Sequence, residues 1–242
     1  MTHGHYVAGG GPVIPNFGHG TECLRNNGWF CTEWVKEHWS DILQPALVQH
    51  IELTLIAVGV GFGVSFLLAL VGFRFRLFDV PLGAFTDFLY AIPSIALFQL
   101  LVPFTGLTVT TIEIALISYT LFVFYRNIVA GLRGVPPDVL ESARGMGLTS
   151  RQTFWRVELP LALPAILAAV RVATVSTISI ATVAAFLIYY GLGGPIFDAL
   201  GQPDIFRTEL VAAGGLAILL ALAADTLIAL LQRVLTPWSR IR

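Results

Sequence analysis

Residues 51–73 read IELTLIAVGVGFGVSFLLALVGF, an apolar run with a single acid at its edge. At 1.5 Å per residue this stretch reaches about 35 Å as a helix, more than the roughly 30 Å of a bilayer's hydrocarbon core. Residues 109–125, 163–188 and 209–232 are comparably apolar. A further stretch, 81–102, carries Asp87 and is interrupted by Pro93. A membrane helix tolerates both where neighbouring helices re-satisfy its backbone. The chain thus reads as an all-α polytopic membrane protein with about five transmembrane helices.

Composition agrees. Of 242 residues 56% are hydrophobic and 12% charged, about half the charged fraction of an ordinary soluble domain. The formal net charge of -1 provides no basic field to gather nucleic acid, so no nucleic-acid partner is expected. Basic residues fix the orientation. If the segment between spans three and four is cytoplasmic, Arg74, Arg76, Arg126, Arg133, Arg144, Arg151, Arg156, Arg233, Arg240 and Arg242 lie inside, and only Arg25, Lys36 and Arg207 lie outside. That imbalance places the N-terminus outside and the C-terminus in the cytoplasm.

Residues 1–50 lack the basic start, apolar stretch and cleavage pattern of a signal peptide and read as an extracytoplasmic extension. Within it, residues 32–50 space Trp34, Val35, His38, Trp39, Ile42 and Leu43 at helical intervals, which suits a helix on the membrane surface. Cys23 and Cys31, the two cysteines of the chain, fall on this oxidising side, where a disulfide closing a small loop is expected. The alternative is a metal site shared with His3, His5 or His19, although the spacing matches no usual zinc pattern.

Residues 136–160, PPDVLESARGMGLTSRQTFWRVELP, carry the informative polar chemistry. Capping rules predict one short helix begun by Asp138, with Glu141 at the reciprocal position and Gly147 at a left-handed C-terminal cap. Thr149 with Gln152 begins a second, expected to stop before Pro160. The elbow would show Arg144, Met146, Leu148, Phe154 and Trp155 to a partner. A solvated connecting loop is the plain alternative.

Glu141-Ser142-Ala143, three residues, Gly147, nine residues and Val157-Glu158-Leu159-Pro160 resemble the EAA loop of binding-protein-dependent ABC importer permeases, whose pattern is E-A-A, three residues, G, nine residues, I-x-L-P. Ser142 and Val157 are mild departures. The likeness runs over roughly residues 50–235. AIPSIALFQLLVP (91–103), YRNIVAGLRGVPPDVLESARGMG (125–147) and LPLALPAILAAVRVATVSTISIATVAAFL (159–187) look most like permeases of the osmoprotectant branch, which import glycine betaine, choline and carnitine. Tyr189 and Tyr190 before GLGGP (191–195), and the cysteine-bearing extension, depart from that pattern.

The resemblance implies the type I importer permease fold over residues 51–235, with 236–242 a cytoplasmic tail, in the plasma membrane of a prokaryote. Glu141, Ser142, Ala143, Arg144, Gly147, Leu159 and Pro160 would couple the chain to a dimer of cytoplasmic ATPase subunits that binds ATP and Mg. A second permease, identical or related, and an extracytoplasmic solute-binding protein complete the expected partners, beside membrane lipid. The chain contains no GxxxxGK[ST] phosphate loop, HExxH or GxSxG, so no cofactor and no enzymatic activity are expected of it. Amino acids or another small polar solute are the alternative cargo, because a docking loop speaks to the motor.

Within the spans, Arg171 and Asp225 sit at similar depth and are candidates for an ion pair. Glu113 and Asp87 read as interfacial acids reaching water. Pro93 with Ser94 is expected to bend span two and free a carbonyl toward the pathway. Phe98, Tyr119, Phe122, Tyr125, Phe186, Tyr189 and Tyr190 are candidate lining residues, and Pro93, Ser94, Phe98 and Tyr119 mark the expected pathway. Gly59 and Gly63 form a small-xxx-small pair suited to close helix packing.

Overall fold

The computed structural model, which describes residues 21–240, turns each apolar run into helix. Short helices α1 (Glu22–Arg25) and α2 (Thr32–Glu37) precede the long α3 (Gln44–Arg74). Next come α4 (Arg76–Ala91), α5 (Ser94–Thr105) and α6 (Val109–Arg133). The polar elbow holds α7 (Pro137–Gly145) and α8 (Ser150–Thr153) and leads into α9 (Leu159–Ala184), α10 (Gly193–Gly201) and α11 (Arg207–Leu235). No strand occurs among the described residues.

α6 is the hub, packing against α3, α9, α4 and α5. Its buried face builds two clusters, one around Phe124, Tyr125 and Ile128 toward the elbow and one around Leu116 and Tyr119 at the other end. By contrast α11, which packs on α9 and α10, leaves Leu219, Leu222, Leu227 and Leu230 exposed. A helix apolar all round is stable only where lipid or another chain covers it.

Four helices are long and apolar enough to cross a membrane, and the expected fifth span is a broken pair, α4 and α5, bent by 100°. This corrects the single kinked helix read from 81–102. Ile92, restricted by the proline after it, takes an extended conformation, and Pro93 begins the next helix without an N–H to bridge the gap.

Two other prolines break no helix. Pro45 and Pro160 each follow directly on a π turn, Trp39–Leu43 and Phe154–Glu158, in which the N–H of the next residue reaches back five places: Gln44 to Trp39 and Leu159 to Phe154. The wider turn accommodates the ring and the missing donor. Two expectations change as a result. The second elbow helix does not stop before Pro160 but continues into the span as one apolar helix, Ser150–Ala184. Likewise the surface helix read over 32–50 divides: α2 is separate, and Trp39 onward is one helix through Arg74, so position 50 is no boundary.

The described part of the extension is packed rather than loose. Cys23 and Cys31 are disulfide-bonded to each other, which leaves neither thiol for a metal; His3, His5 and His19 lie outside the described residues. Leu24, Trp34 and Leu43 bury against Phe206, Ala212 and Ala213. Asn27, in a left-handed conformation that asparagine tolerates, donates its amide to Ile205 O (2.8 Å) and accepts the Arg207 N–H (3.1 Å), so it satisfies a free donor at the start of α11.

Close helix packing uses a different glycine from the expected pair. Gly59 and Gly63 have nothing within 4 Å of where a Cβ would stand, whereas a Cβ on Gly61 would overlap Thr120 Oγ1 of α6. We predict that Gly61→Leu costs on the order of 3 kcal/mol by overpacking and lowers the thermal midpoint of the detergent-solubilised protein, while Gly59→Leu does neither. Equal midpoints for the two variants would show that the α3–α6 crossing does not rest on Gly61.

Candidate functional site

Three places carry polar structure: the elbow, an ion pair on α9, and the neighbourhood of the α4–α5 break. In the elbow, Pro136 rather than Asp138 precedes the first helical residue, and no side chain caps α7; Asp138 instead occupies the first turn, where its charge suits the helix dipole. The other end follows the capping prediction. Gly147 has φ +81°, and Leu148 N–H to Ala143 O (3.2 Å) with Gly147 N–H to Arg144 O (2.9 Å) closes a Schellman motif. Thr149 and Gln152 form a capping box that opens α8 directly after it.

These two caps fix the bend. Ala143 is buried beneath it, and Ser142 donates its hydroxyl to Asp138 O (2.8 Å), so serine needs no external partner there. Met146 (73% exposed) and Trp155 (53%) stand outward with Glu141 and Arg144. Phe154 does not join them. Contrary to expectation it turns inward against the core, edge-on to Trp155 at 5.2 Å.

Along α9, Arg171 meets Asp225 of α11 in a two-pronged contact, Nε to Oδ1 and Nη2 to Oδ2, each 2.8 Å. The fork geometry matches guanidinium to carboxylate. Of the two acids read as water-facing, Asp87 keeps solvent access beside Arg126, whereas Glu113 does not. Asp87 pairs with Arg126, and Asp79 takes the Arg133 guanidinium (2.8 Å) and the Tyr125 hydroxyl (3.0 Å). Glu113 is only 9% exposed, and neither carboxylate oxygen has a partner among the described residues.

At the break, Tyr119 donates its hydroxyl to the carbonyl of Ile92, which the extended conformation there leaves outside both helices. The freed carbonyl is therefore occupied by a side chain. Tyr119 also stands edge-on to Tyr90 (6.0 Å), and Tyr90 stacks on Phe122 (4.3 Å). Tyr90 and Tyr119 wall a cavity of about 310 Å³ completed by residues 173–180 of α9. Phe98, expected here, is instead 2% exposed in the core, and neither Pro93 nor Ser94 lines the cavity. Tyr189 lies elsewhere; burial pushes its phenol up to about 12, and Asp198 and Glu209 act the same way.

Sequence reasoning passed over His50. Fully buried, it accepts the Leu192 N–H at Nδ1 (3.3 Å), which requires a neutral ring whose Nε2–H donates to Ile178 O (3.0 Å). One imidazole thereby joins α3, α9 and the turn before α10. Its signal in sequence is a histidine flanked by Gln49 and Glu52 at the edge of an apolar run, indistinguishable there from a helix-end histidine.

Residues 59–240 match the family model of the binding-protein-dependent transport system inner membrane component. The osmoprotectant import permease protein of Salmonella typhimurium is 35% identical over 195 residues, covering 78% of this chain and 89% of that one. A glycine betaine/carnitine/choline transport system permease protein of Bacillus subtilis is 31% identical over 190 residues, covering 78% and 86%. Among solved structures, the inward-facing MetNI methionine ABC transporter has a TM-score of 0.71 at 19% identity, over 83% of this chain and 98% of that one, and shares the fold. The chain belongs to this inner membrane component family and is the permease subunit of an ABC importer, a multi-pass membrane protein.

Breaking the Arg171–Asp225 contact strands a charge at membrane depth. We expect Asp225→Asn and Arg171→Gln each to lower the thermal midpoint, and the exchange of Arg171→Asp with Asp225→Arg to recover part of the loss. A double exchange no better than the sum of single exchanges would show that the two side chains do not stabilise each other.

Proposed function

We propose that this permease carries quaternary ammonium osmoprotectants, namely glycine betaine, choline and carnitine, delivered by a separate binding protein outside the cell. The relatives named for these solutes share about a third of their residues with it over most of its length. All three solutes bear a trimethylammonium group, which offers no hydrogen-bond donor and is recognised through its charge and its methyl faces. A second permease, identical or related, would complete the pathway. The N-terminus would lie outside and the C-terminus in the cytoplasm, a placement that the distribution of basic residues supports.

Drive would come from a pair of cytoplasmic ATPase subunits that hold ATP and Mg and hydrolyse the nucleotide, with Glu141, Ser142, Ala143, Arg144, Gly147, Leu159 and Pro160 forming the coupling elbow. The observation that carries this reading is mechanical. The elbow is closed by two successive caps and continues without a break, through the π turn at Phe154–Glu158, into α9. A push on Met146 and Trp155 at its tip reaches the span as movement of a helix rather than being absorbed by a loop.

Vesicles holding the permease with its neighbouring ATPase and binding protein should accumulate labelled choline and glycine betaine only when ATP is supplied. Uptake of labelled amino acids with no uptake of either compound would overturn the cargo. A β-branched side chain at φ +81° strains the cap by about 1–3 kcal/mol. Gly147→Val should therefore insert at the normal level yet lose at least tenfold in ATP-driven uptake. Full uptake by that variant would remove the elbow from the mechanism.

A further inference from the structure

The geometry points to a transit site for the trimethylammonium group of the cargo in the cavity walled by Tyr90 and Tyr119, with Ser176 and Ser179 of α9 facing the cargo's polar end. This deepens the cargo reading above and rests on it.

The cavity lies at membrane depth. Tyr119 is fourteen residues from the elbow end of α6 and Ser176 seventeen from that of α9, distances of about 21 and 26 Å along the helices. Non-helical backbone at such depth persists only where protein buries it or where it borders a water-filled space. The α4–α5 break stands beside this cavity: Tyr90 is two residues before Ile92, and Tyr119 holds the carbonyl that the break frees. A helix break, an aromatic pair and a cavity therefore coincide, and the tyrosine that stabilises the break also forms the wall.

The lining chemistry selects the ligand class. No residue lining the cavity carries a formal charge, so a hydrated inorganic ion finds no counter-charge, and an anion finds no cation. Two phenol rings line it, and aromatic rings attract a soft, weakly hydrated cation. Tyr119 is nearly buried (7%), whereas Tyr90, stacked on Phe122, is 49% exposed, so Tyr90 is the ring more open to a ligand. The hydroxyls of Ser176 and Ser179 engage in no hydrogen bond among the described residues. They are available to the alcohol of choline or the carboxylate of betaine. At about 310 Å³ the space falls at the small end of small-molecule sites.

Direction comes from Ser176. It also lines the next cavity, about 440 Å³, which contains Arg171 and Asp225 and lies nearer the elbow end of α9. A ligand released from the tyrosines thus passes along one face of α9 toward the ion pair.

The chemistry of the chain supplies a clean probe. Both native cysteines are joined in the disulfide, so Ser176→Cys introduces the single free thiol. In vesicles holding the complete importer, this thiol should react with a water-soluble maleimide, and millimolar choline should slow the reaction. The uncharged isostere 3,3-dimethyl-1-butanol should not. Tyr90→Leu should abolish the protection and raise the choline KM for uptake between about three- and thirtyfold, while Tyr90→Phe retains both. Ser179→Cys repeats the labelling should Ser176→Cys fold poorly. An unreactive thiol at both positions, or labelling unaffected by choline in vesicles that accumulate choline, overturns the transit site and leaves the cargo reading intact. Vesicles that transport no quaternary ammonium compound overturn the cargo reading, and the site with it.

Discussion

A backbone carbonyl or amide inside a bilayer must find a partner within the protein, because no water replaces a lost helical bond. Several irregular features of the described residues are shaped by that constraint. Where Pro93 breaks the helix, the Tyr119 hydroxyl takes the orphan carbonyl of Ile92. Where the turn after α9 exposes the Leu192 amide, His50 accepts it while its other nitrogen holds Ile178 O. Where Pro45 and Pro160 would interrupt a helix, a π turn precedes each and the helix continues. Pro93 thus marks a sharp break, whereas Pro45 and Pro160 stand in continuous helix behind a π turn, and Pro81, Pro103 and Pro164 lie inside helices without one.

That difference has a functional meaning for a permease subunit. A break lets two segments reorient independently and leaves space beside them, as between α4 and α5. A π turn preserves continuity, as between the elbow and α9. The chain therefore places its discontinuity where space borders the helices and its continuity where force would have to be transmitted. Glu113 stands apart from this economy: its carboxylate is buried and unpartnered among the described residues. Such a group is stable in this conformation only if it is neutral or if a further molecule reaches it.

Much of the architecture was legible in the sequence because span length and hydropathy are local properties. The caps at Gly147 and Thr149 were legible too, since a left-handed glycine and a capping box need only neighbours in sequence. Two of the failures are local, since Asp138 yields the cap position to Pro136 and Pro160 follows a π turn; the others are non-local. Whether Pro160 ends a helix depends on the turn before it. Whether Gly61 or Gly59 meets another helix depends on rotation of α3 against α6, which a four-residue spacing of small side chains does not fix. Phe98 and Tyr119 are both aromatic and apolar by pattern, yet one fills the core and the other bonds to a break twenty-seven residues away. Tyr90, Ser176 and Ser179 bore no signal, because single hydroxyls in apolar runs are common and acquire meaning only when three helices bring them to one cavity.

One helix gathers these elements. Ala168, Val172, Val175, Ser176 and Ser179 recur at the three- and four-residue steps that place side chains along one face of α9, and they line a continuous series of cavities from the ion pair to the tyrosines. The same helix holds the elbow at one end and contacts His50 near the other. Under the coupling proposed above, displacing the elbow while α3 and α6 stay fixed would shift the serines against Tyr90 and Tyr119 and load the Arg171–Asp225 contact with α11. In this conformation that contact is made, and the aromatic cavity is formed beside the same helix.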